Sequence, residues 1–261
     1  MRRLLLTPLL ALLVAASAQA QDTPEPFNIE VTYVASPRAV YMAAIQSLER
    51  EGYTIRARFL DAGLLTLPLV DRKSGADSLA SQLYLELRPR GDTTAVSFQA
   101  HVAPLSGRPL RRDEQEKVTA LAMTAQLTIT AAIAATLEEL PEHARQPDPR
   151  EDSDQFGYGK RNPIRVGGGM ENGSANQRRY LDGLRGPAGQ PVRYFRLGSC
   201  CQFRTPHSPQ GAGMLDAYQV HYEGLERPVL LYMDLYTPAE GAPAAPEGFT
   251  LASGGAPQAS R

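Results

Sequence analysis

The sequence predicts an α+β protein, with an N-terminal β-α-β(n)-α domain that is sandwich-like and has an antiparallel sheet, followed by a mainly-β C-terminal domain. Three observations predict this architecture. Short runs of alternating apolar and polar residues recur along the chain, and two segments have helical apolar periodicity. A polar, proline-rich linker at residues 141–155 separates the two parts.

The N-terminal domain is predicted at residues 27–140. Alternation from Phe27 to Tyr33 predicts a first strand. Ser36 and Pro37 are typical of a helix start and Gly52 of a helix end, and one apolar face lies between them, formed by Val40, Tyr41, Ala44, Ile45 and Leu48. Strands follow near residues 53–59, 64–70, 83–87 and 96–102, and Pro68 favours an edge or a bulge.

A long helix from about Arg111 to Leu140 is predicted to close this domain. Residues 118–137 carry no charge, which is the composition of a membrane span. Large side chains, however, follow a four-residue period at Leu121, Ile129, Ile133 and Leu137, with the small Ala125 in register. This stripe favours a core helix over a span, so we expect no membrane span once the N-terminal segment is removed.

The C-terminal domain is predicted at residues 156–249. Residues 215–222 and 229–236 are predicted to form a hairpin, with a strand at 192–197 and a short helix at 176–184. In the second hairpin strand, alternation puts Tyr232, Asp234 and Tyr236 on the face opposite the apolar one. We expect residues 250–261 to be a disordered tail.

The N-terminal residues have the features of a secretory signal peptide. A basic start at Arg2 and Arg3 precedes the apolar run from Leu4 to Ala16, and a small-x-small site ends at Ala20. We therefore expect cleavage after Ala20 and a periplasmic or secreted location. The net charge of -1 argues against a nucleic-acid partner and leaves a protein or cell-envelope component as the expected one.

The two cysteines of the chain are adjacent, at Cys200 and Cys201. In an oxidising compartment they can form a disulfide with each other. Two alternatives stay open, namely two inert thiols and a redox-active or nucleophilic cysteine. For acyl transfer, Cys200 or Cys201 would be the nucleophile, His207 or His221 the base, and Asp216 or Asp234 the group that orients it.

A metal site is another hypothesis for the same region. One thiolate, such as that of Cys200, could meet His207 and His221 in space, with Asp216 or Asp234 as a further ligand. The spacing matches no zinc motif. We therefore predict no cofactor and keep a metal ion as an alternative.

Basic residues are concentrated between Lys160 and Arg204, where nine Lys or Arg accompany two acidic residues. Two halves of one sheet that attract each other would explain this asymmetry. The alternative is a surface that binds an anionic partner, for which the candidates are Arg178, Arg179, Arg185, Arg193 and Arg196.

Several C-terminal motifs carry a family resemblance. They are residues 162–168 (NPIRVGG), 178–181 (RRYL), 184–187 (LRGP), 198–201 (GSCC) and 222–225 (YEGL), with Phe203, Thr205 and Pro206. These motifs resemble a group of exported bacterial proteins of uncharacterised function, some of which carry the label 2-dehydro-3-deoxyphosphooctonate aldolase. That label implies a (β/α)₈ barrel, whereas the predicted order of elements lacks the alternation of strands and helices throughout.

These observations favour an exported, non-catalytic binding or structural protein of the cell envelope. The alternatives are a cysteine- or metal-dependent extracytoplasmic enzyme and a thiol redox sensor, both of which would use the region of Cys200 and Cys201.

Overall fold

The structure is a computed structural model that describes residues 28–60, 63–67, 69–70, 78–151 and 153–252. The predicted signal peptide, Pro68 and most of the predicted C-terminal tail lie outside the described residues. The chain is α+β, as predicted. The part of the chain that the structure describes forms one large mixed sheet, four α-helices and a small two-stranded sheet.

The strands of the large sheet come from both halves of the sequence. Its order is β1-β6-β5-β3-β2-β9-β10-β11-β7, and β4 pairs with β5 beside this path. The bounds are Asn28–Tyr33 (β1), Ile55–Phe59 (β2), Gly63–Thr66 (β3), Leu69–Val70 (β4), Leu79–Arg90 (β5), Thr93–Pro104 (β6), Ile164–Arg165 (β7), Arg193–Arg204 (β9), Ala212–His221 (β10) and Val229–Asp234 (β11).

Helix α1 (Pro37–Arg50) begins where the sequence predicts it. The Ser36 Oγ accepts a hydrogen bond of 3.2 Å from the backbone N–H of Ala39, which caps the helix start. The predicted apolar face is buried in the core, as the sequence indicates: Val40, Tyr41, Ala44, Ile45 and Leu48. The period of this face and its cap thus define both the helix and its orientation on the sheet.

Helix α2 (Gln115–Glu139), preceded by a 3₁₀ turn at Arg112–Glu114, packs on the same face of the sheet as α1. Its buried side includes Ile129, Ile133 and Gln126, whose Nε2 donates to the carbonyl of Phe98 at 2.9 Å. The segment Arg112–Glu139 is also long and apolar enough to cross a membrane. The absence of a span therefore stays a prediction.

One core extends across both halves of the chain. Strand β2 pairs in parallel with β9 through Phe59 and Ser199, and the Tyr41 hydroxyl donates to the carbonyl of Leu197 at 2.9 Å. Leu197, Leu215 and Leu230 belong to the same buried cluster as α1 and α2.

The other face of β10 and β11 is covered by helix α4 (Gly169–Gly183), which is longer than the predicted helix at 176–184. Because β11 is covered on both faces, every residue from Val229 to Asp234 is buried. Tyr232, predicted on the face opposite the apolar one, packs in the main core and is only 2% exposed. The predicted hairpin of β10 and β11 is confirmed.

The predicted linker makes specific contacts. It contains the short helix α3 (Glu142–Arg145). The carbonyl of Arg145 accepts a hydrogen bond from Ser36 N–H, and Glu151 pairs with Arg38 at 2.8 Å. Asp148 in this segment also pairs with Arg227 at 3.1 Å, so residues 141–151 contact both halves of the chain, and the division into two domains stays a prediction.

Strands β8 (Leu184–Arg185) and β12 (Thr250–Leu251) form the small antiparallel sheet. Thr250 and Leu251, the first residues of the predicted tail, are therefore part of a strand. Residues 253–261 lie outside the described chain.

Candidate functional site

Cys200 and Cys201 are joined in a disulfide within strand β9, with their Cα atoms 3.7 Å apart. Cys200 pairs with Leu215 and Gln202 with Met214, so Cys201 is the extra residue of a β-bulge. Cys200 is fully buried in the main core, whereas Cys201 is partly exposed. The bulge thus turns one sulfur inward and leaves the other residue at the surface.

Cys201 has a φ of 59°, the one positive φ at a non-glycine residue in the described chain. This left-handed conformation costs an L-residue about 1 kcal/mol relative to glycine. We expect the disulfide-free variant Cys200→Ala/Cys201→Gly to be more stable by about that amount than Cys200→Ala/Cys201→Ala. Urea unfolding of both variants measures this difference, and equal midpoints would contradict the assigned conformation.

Cys201 lines a cleft of about 590 Å³. We name it the basic cleft, because four cationic side chains and a single carboxylate line it among the described residues: Lys160, Arg161, Arg165, Arg204 and Asp234. His207, Thr205 and Thr237 also line it. Pockets of about 300–1,000 Å³ are typical of small-molecule sites.

Three parts of the chain bring these side chains together. Lys160 and Arg161 lie in the loop before β7. Arg165 lies on β7, and its backbone is the ladder partner of Asp234 at the end of β11. Arg204 ends β9. The sheet therefore sets the spacing between Arg165 and Asp234, whereas loops carry Lys160 and Arg161.

The cations of the basic cleft differ in their partners. Arg161 pairs with the exposed Asp154, and the Nζ of Lys160 lies 5.9 Å from the ring centroid of Tyr232. The side chains of Arg165 and Arg204 form no ion pair or hydrogen bond with any described residue. These two guanidinium groups are therefore available to an anion in the cleft.

Asp234 is 1% exposed although it lines the basic cleft. Its Oδ1 accepts hydrogen bonds from the backbone N–H groups of Tyr236, at 2.7 Å, and Thr237, at 3.1 Å. The described residues offer no hydrogen-bond donor to Oδ2. The chain after β11 thus holds the carboxylate in place and leaves one oxygen for another partner.

The other predicted acid, Asp216, lies elsewhere on the sheet. It is buried, and its Oδ1 accepts from Arg196 at 2.6 Å and from Ser199 at 2.9 Å. Asp216 therefore has a structural ion pair and does not line the basic cleft.

The predicted histidines are separated along β10. His207 lies in the loop before β10, at the basic cleft, whereas His221 ends β10 and lines a different cavity with Arg193. Within the described residues, no group of three or more His, Cys, Asp or Glu side chains could hold a metal ion. The Cys, His and Asp arrangement with His221 or Asp216 is not assembled in the structure.

The basic residues singled out in the sequence lie outside the basic cleft. Arg178 and Arg179 are exposed on α4, Arg185 hydrogen-bonds to the carbonyls of Asp182 and Leu184, and Arg196 is paired with Asp216. The cations of the basic cleft belong to the same basic segment but are not among those candidates: Lys160, Arg161, Arg165 and Arg204. Their position in the sequence is the signal that could identify them, since Lys160 and Arg161 precede the NPIRVGG motif, Arg165 lies within it, and Arg204 follows the GSCC motif.

No family model and no curated protein matches the chain. Solved structures with partial similarity include TTHA0849 from Thermus thermophilus, at 14% identity over 43% of this chain and 96% of that chain, with a TM-score of 0.29. Ara h 8.0201 shares 10% identity over 44% of this chain and 99% of its own, with a TM-score of 0.28. The di-domain ARO/CYC StfQ from the steffimycin biosynthetic pathway shares 13% identity over 74% of this chain and 69% of its own, with a TM-score of 0.25. Similarities this low carry no inference about function.

Proposed function

We propose that this protein is a non-catalytic binding protein of an extracytoplasmic compartment and that the basic cleft holds an anionic ligand. The observation that carries the proposal is the pair of unpartnered guanidinium groups, Arg165 and Arg204, that line one cleft with Lys160 and Arg161. Arginine presents several donors in a planar fork that matches the oxygens of a phosphate or carboxylate.

The disulfide supports binding rather than catalysis. A cysteine acts as a nucleophile through its thiolate, and a sulfur atom in a disulfide has none. Cys201 also lines the basic cleft, so the bond contributes a compact, uncharged part of the wall beside the cations. The extracytoplasmic location is supported by the basic and apolar pattern of the N-terminal residues.

Arginine substitutions in the cleft test the proposal. Inorganic phosphate and citrate are the probes, titrated into the full chain by calorimetry. We expect binding that weakens as salt rises, and a loss of about tenfold in affinity for Arg165→Ala or Arg204→Ala, because each removes a charge-assisted hydrogen bond.

Arg178→Ala and Arg179→Ala are the matched controls, since both side chains are exposed on α4 and do not line the cleft. They should leave the affinity unchanged. If neither probe binds the wild-type chain, or if the control variants lose as much affinity as the cleft variants, the proposal is overturned.

A further inference from the structure

Asp234 is the feature of the basic cleft that anion binding alone does not explain. A carboxylate among four cations reduces the attraction for an anion, and burying it costs free energy unless its oxygens receive hydrogen bonds. Oδ1 is satisfied by two backbone N–H groups. Oδ2 has no donor among the described residues, and the nearby cations form no ion pair with it.

The charge of the surroundings selects the kind of donor that Oδ2 can receive. A ligand ammonium group would meet Lys160, Arg161, Arg165 and Arg204 in the same cleft, and like charges in a partly enclosed site repel each other. A hydroxyl group is uncharged and donates to a carboxylate with a short, strong hydrogen bond. The site therefore favours a ligand hydroxyl at Asp234.

Strand pairing places the residues that would contact the anionic group and the hydroxyl of such a ligand next to each other. Arg165 and Asp234 are direct partners in the parallel ladder of β7 and β11, and neighbouring strands lie about 4.8 Å apart. A small ligand that carries an anionic group and a hydroxyl can therefore contact both side chains. Thr205 and Thr237 line the same cleft, where their hydroxyl oxygens lie 3.4 Å apart.

We propose that the ligand is a polyhydroxylated anion of about monosaccharide size, such as a phosphorylated or carboxylated sugar, with its anionic group at Arg165 and Arg204 and a hydroxyl at Asp234. This inference rests on the proposed function and specifies its ligand class. The volume of about 590 Å³ accommodates a ligand of that size.

The first test compares ligands on the wild-type chain and needs no variant. The probes are glucose 6-phosphate, gluconate, inorganic phosphate, acetate and glucose, titrated at one pH and salt concentration. We expect glucose 6-phosphate to bind at least about fivefold more tightly than phosphate, and gluconate to bind more tightly than acetate by a similar factor. Each sugar ligand adds a hydroxyl that can donate a hydrogen bond to the charged Asp234. Comparing the affinities for the two phosphate ligands with those for the two carboxylate ligands shows which anionic group the cleft prefers.

Asp234→Asn provides the second test. The amide oxygen can still accept the N–H groups of Tyr236 and Thr237, while the charge is removed. We expect phosphate to bind a few-fold more tightly and glucose 6-phosphate to lose its advantage over phosphate. Arg179→Ala, outside the cleft, should retain the wild-type order of affinities.

The outcomes separate the two proposals. If glucose 6-phosphate and phosphate bind the wild-type chain equally, and gluconate and acetate do too, the ligand class is overturned while anion binding stands. If Asp234→Asn changes the affinities for inorganic phosphate and glucose 6-phosphate by the same factor, the hydroxyl contact is also overturned. Tighter binding of glucose than of glucose 6-phosphate, or no binding of any anion, overturns the anion-binding cleft itself.

Discussion

We expect Gly198→Ala to lower the free energy of unfolding by about 3 kcal/mol or more, because it combines a disallowed backbone conformation with a steric overlap. Gly198 has a φ of +147°, and a Cβ atom there would lie 2.2 Å from the carbonyl oxygen of Arg58. The contact is with backbone, so no side-chain rotation relieves it. The overlap lies where β9 meets β2.

This position matters because β2 and β9 join the two halves of the large sheet. Beside Gly198, the carbonyl of Ser199 accepts a hydrogen bond from the N–H of Leu60 at 3.2 Å, and Phe59 pairs with Ser199. Moving the strands apart to admit a methyl group would weaken this pairing. It would also disturb the hydrogen bond from Tyr41 to Leu197.

Urea unfolding followed by circular dichroism measures the loss, with Gly224→Ala as the matched control. Gly224 also has a positive φ, of +92°, but a Cβ atom there would have no neighbour within 4 Å. The control should therefore cost only about 1 kcal/mol, which is the cost of the backbone conformation alone. Similar losses for the two variants would show that the close approach of β2 and β9 is not as described.

The elements that could be predicted from the sequence are those determined by local patterns. The cap and the apolar period of α1 are contained within residues 36–52, and the hairpin of β10 and β11 follows from two alternating runs with a short loop. Both depend on neighbours close in sequence, where propensity and periodicity are informative.

The joining of the two halves could not be predicted in this way. Strands β2 and β9 are far apart in sequence, and their pairing depends on shape at Gly198 rather than on a local pattern. The alternation in β11 was misleading for a related reason. A strand covered on both faces buries both sets of side chains, so Tyr232 and Asp234 are buried like their apolar neighbours, although Asp234 also lines the basic cleft.

The basic cleft could not be predicted from the sequence for the same reason, because its residues come together only in the folded chain. Arg165, Arg204 and Asp234 belong to three different strands. The number of basic residues in the segment does not distinguish Arg165 or Arg204 from Arg178 or Arg179, and the sequence suggests Asp234 only as a partner of the cysteines and histidines. The cysteine pair was visible in the sequence because the two residues are adjacent. The sequence does not show, however, that Cys201 lines a cleft with four cationic side chains.

The second large effect concerns Asp148, in the segment whose composition predicts an exposed linker. Its side chain is only 3% exposed and pairs with Arg150 at 2.7 Å and with Arg227 at 3.1 Å. Asp148→Asn should lower the free energy of unfolding by about 2–3 kcal/mol at pH 7, because it leaves two arginines without their shared carboxylate. Arg227 belongs to the loop between β10 and β11, so the pair ties the linker segment to that hairpin.

The effect of Asp148→Asn should depend on pH. Burial raises the pKa of Asp148, but the hydrogen bonds from the side chain and backbone of Arg150, together with the charges of Arg150 and Arg227, outweigh it, so the pKa in the folded chain lies below its ordinary value. A depressed carboxyl pKa stabilises the folded state above the unfolded pKa of about 3.9, and this stabilisation is lost as the pH falls through the folded pKa. The difference between the wild type and Asp148→Asn should therefore persist at pH 7 and shrink below about pH 4.

Asp154→Asn is the matched control, because Asp154 is 71% exposed and pairs with Arg161 at the surface. Exposed ion pairs contribute little, so its cost should stay below about 0.5 kcal/mol at every pH. Urea midpoints for both variants between pH 3 and pH 7 make the comparison. If the linker makes no specific contacts, both variants should lose the same small amount of unfolding free energy. A large, pH-dependent loss for Asp148→Asn alone would mean that this segment is packed against the rest of the folded chain.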